Sequence, residues 1–208
     1  MSHPTARHTS TARDTSTGTV ESVVLLDDDH QPIGTAPKAD VHGPDTPLHL
    51  AFSVYVVHPD GRFLATRRAL DKRTWGGVWT NSCCGHPGPG EDLATAARRR
   101  LEQELGLVAS TLTVALPNFR YRARSPEGLW ENEYCPVFVA TVGADPVPDP
   151  SEVVQWQWVA WSDFRESVER TPWAFSPWSV LQTRQLGASL LAPGPSAQSF
   201  PGTVKLNA

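Results

Sequence analysis

Residues 85–107, GHPGPGEDLATAARRRLEQELGL, decide how this chain folds. Leu93, Ala97, Leu101 and Leu105 recur every four residues and draw one apolar stripe along a helix. Glu91 and Asp92 stand at the positive N-terminal end of that helix, and Gly106 stands where a left-handed C-terminal cap belongs. Gly and Pro crowd residues 85–90 into a turn, and TNSCC, 80–84, closes a β-like run over 78–84. The local plan is strand, tight turn, amphipathic helix.

The flanking segments are mostly strand-like. ESVVLL, 21–26, reads as a strand ended by the acidic turn DDDHQPIG. HLAFSVYVV, 49–57, and RFLATRR, 62–68, form a hairpin around His-Pro-Asp-Gly. Further strands are expected at 110–116, 119–123, 133–142 and 153–159, with Pro136 marking an edge or a bulge in the third. Helical patterns return at 162–170 and 177–190. This order predicts an α/β fold, a mixed β-sheet sandwiched between α-helices, in a single domain over 20–190. Residues 1–19 are rich in Ser, Thr and Arg without bulky apolar residues, and read as a disordered tail rather than a transit peptide. Residues 191–208 read as a flexible tail.

Composition narrows the function classes. The 208 residues are 39% hydrophobic and 19% charged, which suits a packed globular domain. A net charge of −4 offers no global basic field to nucleic acid. An anionic small-molecule substrate therefore needs local positive charge or a metal ion. No apolar run approaches the roughly 18 residues of a membrane span. Three cysteines, an odd number without framework spacing, suit a reducing cytosol, so a cytoplasmic monomer or homodimer is expected.

Cys83 and Cys84 point to opposite faces of a strand, so they neither grip one metal together nor form a CxxC redox pair. Cys84 shares a face with His86, which makes Cys84 the thiol for chemistry and Cys83 the packed one. His42, His49 and His86 lie at strand ends, and Glu131 and Glu133 share one face of a third strand. Each alone reads as a surface residue. Together these three imidazoles and two carboxylates suit one divalent ion, Mn²⁺, Mg²⁺ or Zn²⁺. No CxxC or HxxxH spacing supports a structural zinc site.

The opening stretch resembles the Nudix box, G-x5-E-x7-R-E-U-x-E-E-x-G-U with U a bulky apolar residue. Gly85, Glu91, Arg99, Leu101, Glu104, Gly106 and Leu107 match, while Arg100 and Gln103 replace two of its glutamates. Those carboxylates normally gather the metal ions of pyrophosphate hydrolysis, so their loss argues against a hydrolase. The blocks LHLAFS, TRRALDKRTWGGVWTNSCCGHP, FRYRA, ENEYCPVF and TPWAFSPW are similar to type I isopentenyl diphosphate isomerases, Nudix-fold relatives that move a double bond. The likeness runs over about residues 21–186.

That resemblance implies an enzyme of isoprenoid biosynthesis interconverting isopentenyl and dimethylallyl diphosphate through a tertiary carbocation. It implies Cys84 and Glu133 as catalytic acid/base groups on opposite faces of the substrate, with Tyr121 assisting beside the glutamate. A Glu133–Tyr121 relay is taken as the donor and Cys84 as the acceptor. The implied ligands of the first metal are His42, His49, His86, Glu131 and Glu133, and Glu104 is implied for a Mg²⁺ bound with the substrate. Lys38, Arg68, Lys72 and Arg100 fall on the diphosphate-binding positions. Trp178 is the candidate wall for the carbocation, with Trp75 and Trp79 as further wall residues. Trp156, Trp158 and Trp161 read as core, and Trp173 is unassigned. A Nudix pyrophosphohydrolase is the alternative enzyme, but it leaves Cys84 without a role. A catalytically silent binding module is the alternative from another class, but it predicts a gap among Cys84, Tyr121, Glu131 and Glu133 that does not exist.

Overall fold

A computed structural model describes residues 21–190; the tails expected at 1–19 and 191–208 lie outside the described residues. Two mixed sheets form the centre. β1 (Ser22–Leu26), β2 (Pro32–Pro37), β3 (His49–Leu50), β9 (Arg120–Arg124) and β10 (Trp130–Tyr134) make a five-stranded sheet of order β2-β1-β3-β10-β9. The other holds β4 (Phe52–Val57), β5 (Phe63–Arg68), β6 (Trp79–Thr80), β7 (Cys83–Gly85), β8 (Thr111–Leu116), β11 (Val137–Thr141) and β12 (Val153–Val159). Its order is β12-β5-β4-β11-β8, with β6 on β5 and β7 on β4.

β4 is buried on both faces, and its side chains alternate between two cores. Phe52, Val54 and Val56 face α2 (Leu93–Leu105), whereas Tyr55 and Val57 face α3 (Trp161–Arg170) and α4 (Pro177–Leu186). This second sheet is the one sandwiched between helices, as expected.

α2 is built as its sequence predicts. The Asp92 carboxylate accepts from Thr95 N at 3.0 Å and caps the N-terminus. Gly106 takes φ 64° at the C-cap, where a Cβ would meet the Val147 carbonyl oxygen at 3.2 Å. Ala97, Leu101 and Leu105 are fully buried and Leu93 partly so. Gly85 has a packing reason instead: a Cβ there would lie 2.8 Å from the Phe52 ring and 2.9 Å from Arg100 Cγ, so only glycine lets α2 approach β7 this closely. Leu101→Ala should leave an unfilled space in this layer and cost about 2–5 kcal/mol of stability, read as a lowered midpoint in urea.

Several expected boundaries shift. The acidic turn is followed by β2, which hairpins onto β1 and was masked by the Pro and Gly of PIGTAP. α1 (Lys38–Val41) was not anticipated. The run 78–84 resolves into the short strands β6 and β7, and the last helix stops at Leu186 before Gly187. The main correction concerns 49–57 and 133–142, each expected as one strand. Each is two, and each passes from the first sheet to the second, at Ala51 and at Cys135-Pro136. Pro136 has no N–H to continue a ladder. The two crossings run side by side, with Ala51 N donating to Tyr134 O at 2.9 Å and Ser53 N to Pro136 O at 3.1 Å. Residues from both sheets thereby face one cavity.

Candidate active site

That cavity measures ≈ 590 Å³ and is lined from both sheets, α2 and α4. His42 follows α1, His49 opens β3 of the first sheet, Glu133 is its register partner on β10, and His86 follows β7 of the second sheet. One potential ligand atom from each of these four lies within 4.8 Å of the others. His49 Nδ1–H donates to the Pro47 carbonyl at 3.0 Å, which fixes the tautomer and aims Nε2 at the cluster. His86 Nε2 lies 3.1 Å and His49 Nε2 3.5 Å from Glu133 Oε1.

Burial pushes the His42 imidazolium down to about 4, so the ring is neutral with a free lone pair. Burial also lowers His86, partly offset by Glu133; for His49 burial is outweighed by the Glu133 contact, which leaves it raised. Burial would raise Glu133, but the hydrogen bonds from His49 and His86 hold it well below the usual carboxylate range. The buried Nε2 of His42 has no hydrogen-bond partner among the described residues, and that of His49 has only the 3.5 Å approach to Glu133. Such orphaned nitrogens beside a carboxylate are the donor set of a divalent metal, so the residues fit the ion.

Glu131 is placed differently from the other four expected ligands. It is buried on the same face of β10 as Glu133. Its Oε1 accepts from Thr74 Oγ1 at 2.7 Å and its Oε2 lies 2.5 Å from Tyr121 Oη, so both oxygens are engaged and it falls outside the four-atom group. Tyr121 is also 2.9 Å from Glu133 Oε2 and thus bridges the two carboxyls. One hydroxyl carries one proton, so two carboxylates around it are satisfied only if one is itself protonated. Burial, followed by the charge of Glu133, pushes Glu131 up to about 7, which makes it the more readily protonated of the two carboxyls. The result is a Glu131–Tyr121–Glu133 chain.

The parity expected for the cysteines holds. Cys83 is buried on the α2 side and donates to Glu104 Oε2 at 3.4 Å. Cys84 faces the other way, paired in register with Ser53; its Sγ lies 3.4 Å from Ser53 Oγ and 3.2 Å from Asn81 Nδ2. Burial pushes the Cys84 thiol up to about 12, opposed by the Ser53 and Asn81 hydrogen bonds. Its thiolate, once formed, is correspondingly a strong base.

Lys38, Arg68, Lys72, Arg100, Glu104 and Trp178 all line the same cavity. Arg68 donates to Thr74 O at 3.2 Å and its guanidinium sits 5.2 Å over the Trp178 ring. Trp178 donates from Nε1 to Asn81 Oδ1 at 3.0 Å, with Trp75 edge-on behind it at 5.5 Å. Trp75 and Trp79 do not line the cavity; Trp75 backs Trp178 instead. Trp158 and Trp161 are buried, Trp156 packs partly buried against the α2 core, and Trp173 is 81% exposed.

Four site residues were not anticipated: Ser53, Thr74, Asn81 and Glu152. Ser53 and Asn81 lie inside the conspicuous blocks LHLAFS and TNSCCGHP; the even spacing of Ser53 from His49 was an available signal, but Asn81, three residues from Cys84, had none of that kind. Glu152 has no local pattern at all.

The chain matches the NUDIX domain family over residues 47–182. An isopentenyl-diphosphate Delta-isomerase of Frankia alni is 60% identical over 167 residues, which cover 80% of this chain and 86% of that protein. The protein of the same name from Kocuria rhizophila is 58% identical over 167 residues, covering 80% and 93%. That of Brevibacterium linens is 55% identical over 161 residues, covering 77% and 88%. Among solved structures, DR0079 of Deinococcus radiodurans superposes with a TM-score of 0.64 at 16% identity, covering 81% of this chain and 100% of the other. A MutT protein of Methanosarcina mazei superposes at 0.54 and 18% identity, covering 67% and 93%. At such identities the structural likeness concerns the fold alone.

Proposed function

Because the chain belongs to the isopentenyl-diphosphate Delta-isomerase family of NUDIX-domain proteins, it is an isomerase of isopentenyl diphosphate, and we propose that Cys84 and the Glu133–Tyr121 pair are its two proton-transfer groups. The observation that carries this assignment is their arrangement: a half-buried thiol from the second sheet and a hydroxyl-bridged carboxylate from the first line one cavity.

The substrate alkene is unactivated. A proton delivered to its terminal carbon turns the π pair into a C–H bond and leaves a tertiary cation at the branched carbon. A base then takes a proton from the neighbouring methylene, and that C–H pair becomes the new double bond. Two groups are needed, one on each face of the alkene, each able to act as acid in one direction and base in the other. The relay is assigned as donor and Cys84, in its thiolate form, as acceptor for formation of dimethylallyl diphosphate; that form is a minor one in the site without substrate, because burial raises the thiol. Glu131 is the carboxyl of this chain that takes up a proton most readily, and Tyr121 links it to Glu133. Trp178 gives the cation an aromatic face, worth about 0.5–2 kcal/mol, and helps keep out water.

His42, His49, His86 and Glu133 would hold Mn²⁺, Mg²⁺ or Zn²⁺; Glu131, the fifth ligand that the family resemblance implies, would join them only by releasing Thr74 or Tyr121. Bound there, a divalent ion supplies fixed positive charge that acidifies nearby groups. Glu104 would hold the Mg²⁺ that accompanies the diphosphate, beside Arg68, Lys72, Lys38 and Arg100. Among the described residues no helix is long and apolar enough to cross a membrane.

The test is an assay with isopentenyl diphosphate that reads dimethylallyl diphosphate and free phosphate in parallel. Isomer without phosphate is expected, lost on chelation and restored by Mg²⁺ with Mn²⁺. Phosphate release without isomer would replace the isomerase by a pyrophosphohydrolase.

A further inference from the structure

Three of the four basic side chains assigned to the diphosphate are already engaged by carboxylates. Lys38 pairs with Glu21 at 2.6 Å, Arg100 with Glu104, and Lys72 with Glu152. Glu152 serves twice, because its other oxygen lies 3.5 Å from the Arg100 guanidinium. It sits on the turn leading into β12, where its own N–H donates to Asp149 O and its carbonyl accepts from Ala69 N, both at 2.9 Å. Its place therefore does not depend on its side chain. Lys72 and Arg100 come from different elements, and the proton-transfer chemistry gives Glu152 no part. It lines the cavity and its side chain is 24% exposed, so a ligand can reach it.

We propose that Glu152 is a displaceable counter-charge, which makes the cavity accept a diphosphate accompanied by a divalent cation in preference to the free anion. The proposal rests on the isomerase reading for its ligand. A diphosphate ester carries roughly three negative charges near neutral pH. To reach Lys72 and Arg100 it must detach them from Glu152 and Glu104. Both carboxylates would then face the anion in a partly buried site, where like charges repel strongly. A divalent cation entering with the diphosphate pairs with the carboxylates that the basic side chains release.

The charge balance of the wall points the same way. Five Lys and Arg side chains line the cavity against six carboxyl groups, of which Glu131 takes up a proton most readily. With or without that proton, one divalent ion at the histidines leaves the wall short of the charge a trianion requires, and a second makes up the deficit. Glu152 is the carboxylate of this set that holds two of the diphosphate's own partners, so its removal shifts the balance furthest toward the free anion.

Calorimetric titration of inorganic pyrophosphate into the full chain tests this, on protein stripped of metal and again with saturating Mg²⁺. The wild type should bind pyrophosphate far more weakly without Mg²⁺. Glu152→Gln should bind the Mg²⁺-free anion about tenfold more tightly than the wild type, about 1.4 kcal/mol. Its ratio of affinities with and without Mg²⁺ should shrink by the same factor, while Glu152→Asp, which keeps the charge, retains the wild-type ratio. Arg100 keeps Glu104 and Lys72 is open to water in the Gln variant, so it should fold; Glu152→Ala takes its place if a melting curve shows otherwise. Affinities unchanged in both conditions, or falling together in both, would overturn the proposal; the second result would make Glu152 only a prop for Lys72 and Arg100. Absence of pyrophosphate binding by the wild type in either condition would overturn the diphosphate site itself.

Discussion

Cys84→Ala is expected to lose at least about 10³-fold in turnover, whereas Cys83→Ala keeps most of it. The two side chains are adjacent in sequence, and Cys83 is the more buried, so a general loss of packing would strike Cys83 at least as hard. They differ in what they face. Cys84 Sγ lies in the cavity with Ser53 and Asn81, and Cys83 Sγ turns to Glu104 under α2. Cys84→Ser preserves the shape but holds its proton much more tightly, so it should remain near the Ala level. Steady-state rates on isopentenyl diphosphate decide the matter, with melting curves to show that all three variants are folded. Wild-type turnover in Cys84→Ala would remove the thiol from the chemistry.

Glu133→Gln should be nearly as damaging, about 10²–10⁴-fold in turnover, with a second readout that Cys84→Ala does not share. Glu133 supplies the carboxylate to His49 and His86 and an acceptor to Tyr121. The amide keeps the volume but removes the negative charge that holds two buried imidazoles together. Retained metal after dialysis should therefore fall at least about tenfold, since even outer ligand-orienting partners are worth that much. Metal content is measured on the purified variant by atomic absorption. A variant with full metal and low turnover would make Glu133 a proton-transfer group alone; one with full turnover would sink both roles.

How much was legible depended on the range of the interaction involved. α2 could be read because its apolar stripe, the acidic residues at its start and its Gly106 cap are all local. The opposed faces of Cys83 and Cys84, and the shared face of Glu131 and Glu133, follow from the two-residue period of a strand. β2 was missed because Pro32, Gly34 and Pro37 are weak strand formers held in place by pairing with β1. The two apparently continuous strands concealed their change of sheet, since a long apolar run carries the same pattern on either side of a crossing.

The sequence by itself determined the amphipathic helix, the strand parity and the set of residue types, and through its ordered blocks the family. These depend on neighbours two to four positions apart. Only the tertiary structure decided that His49 pairs with Glu133, that Thr74 and Tyr121 claim both oxygens of Glu131, and that Glu152 joins Lys72 to Arg100. Apart from Tyr121–Glu131, which spans the neighbouring strands β9 and β10, each of these contacts closes a long loop of chain, and the register of the strands that close it is set by burial over both cores together, which no local stretch contains.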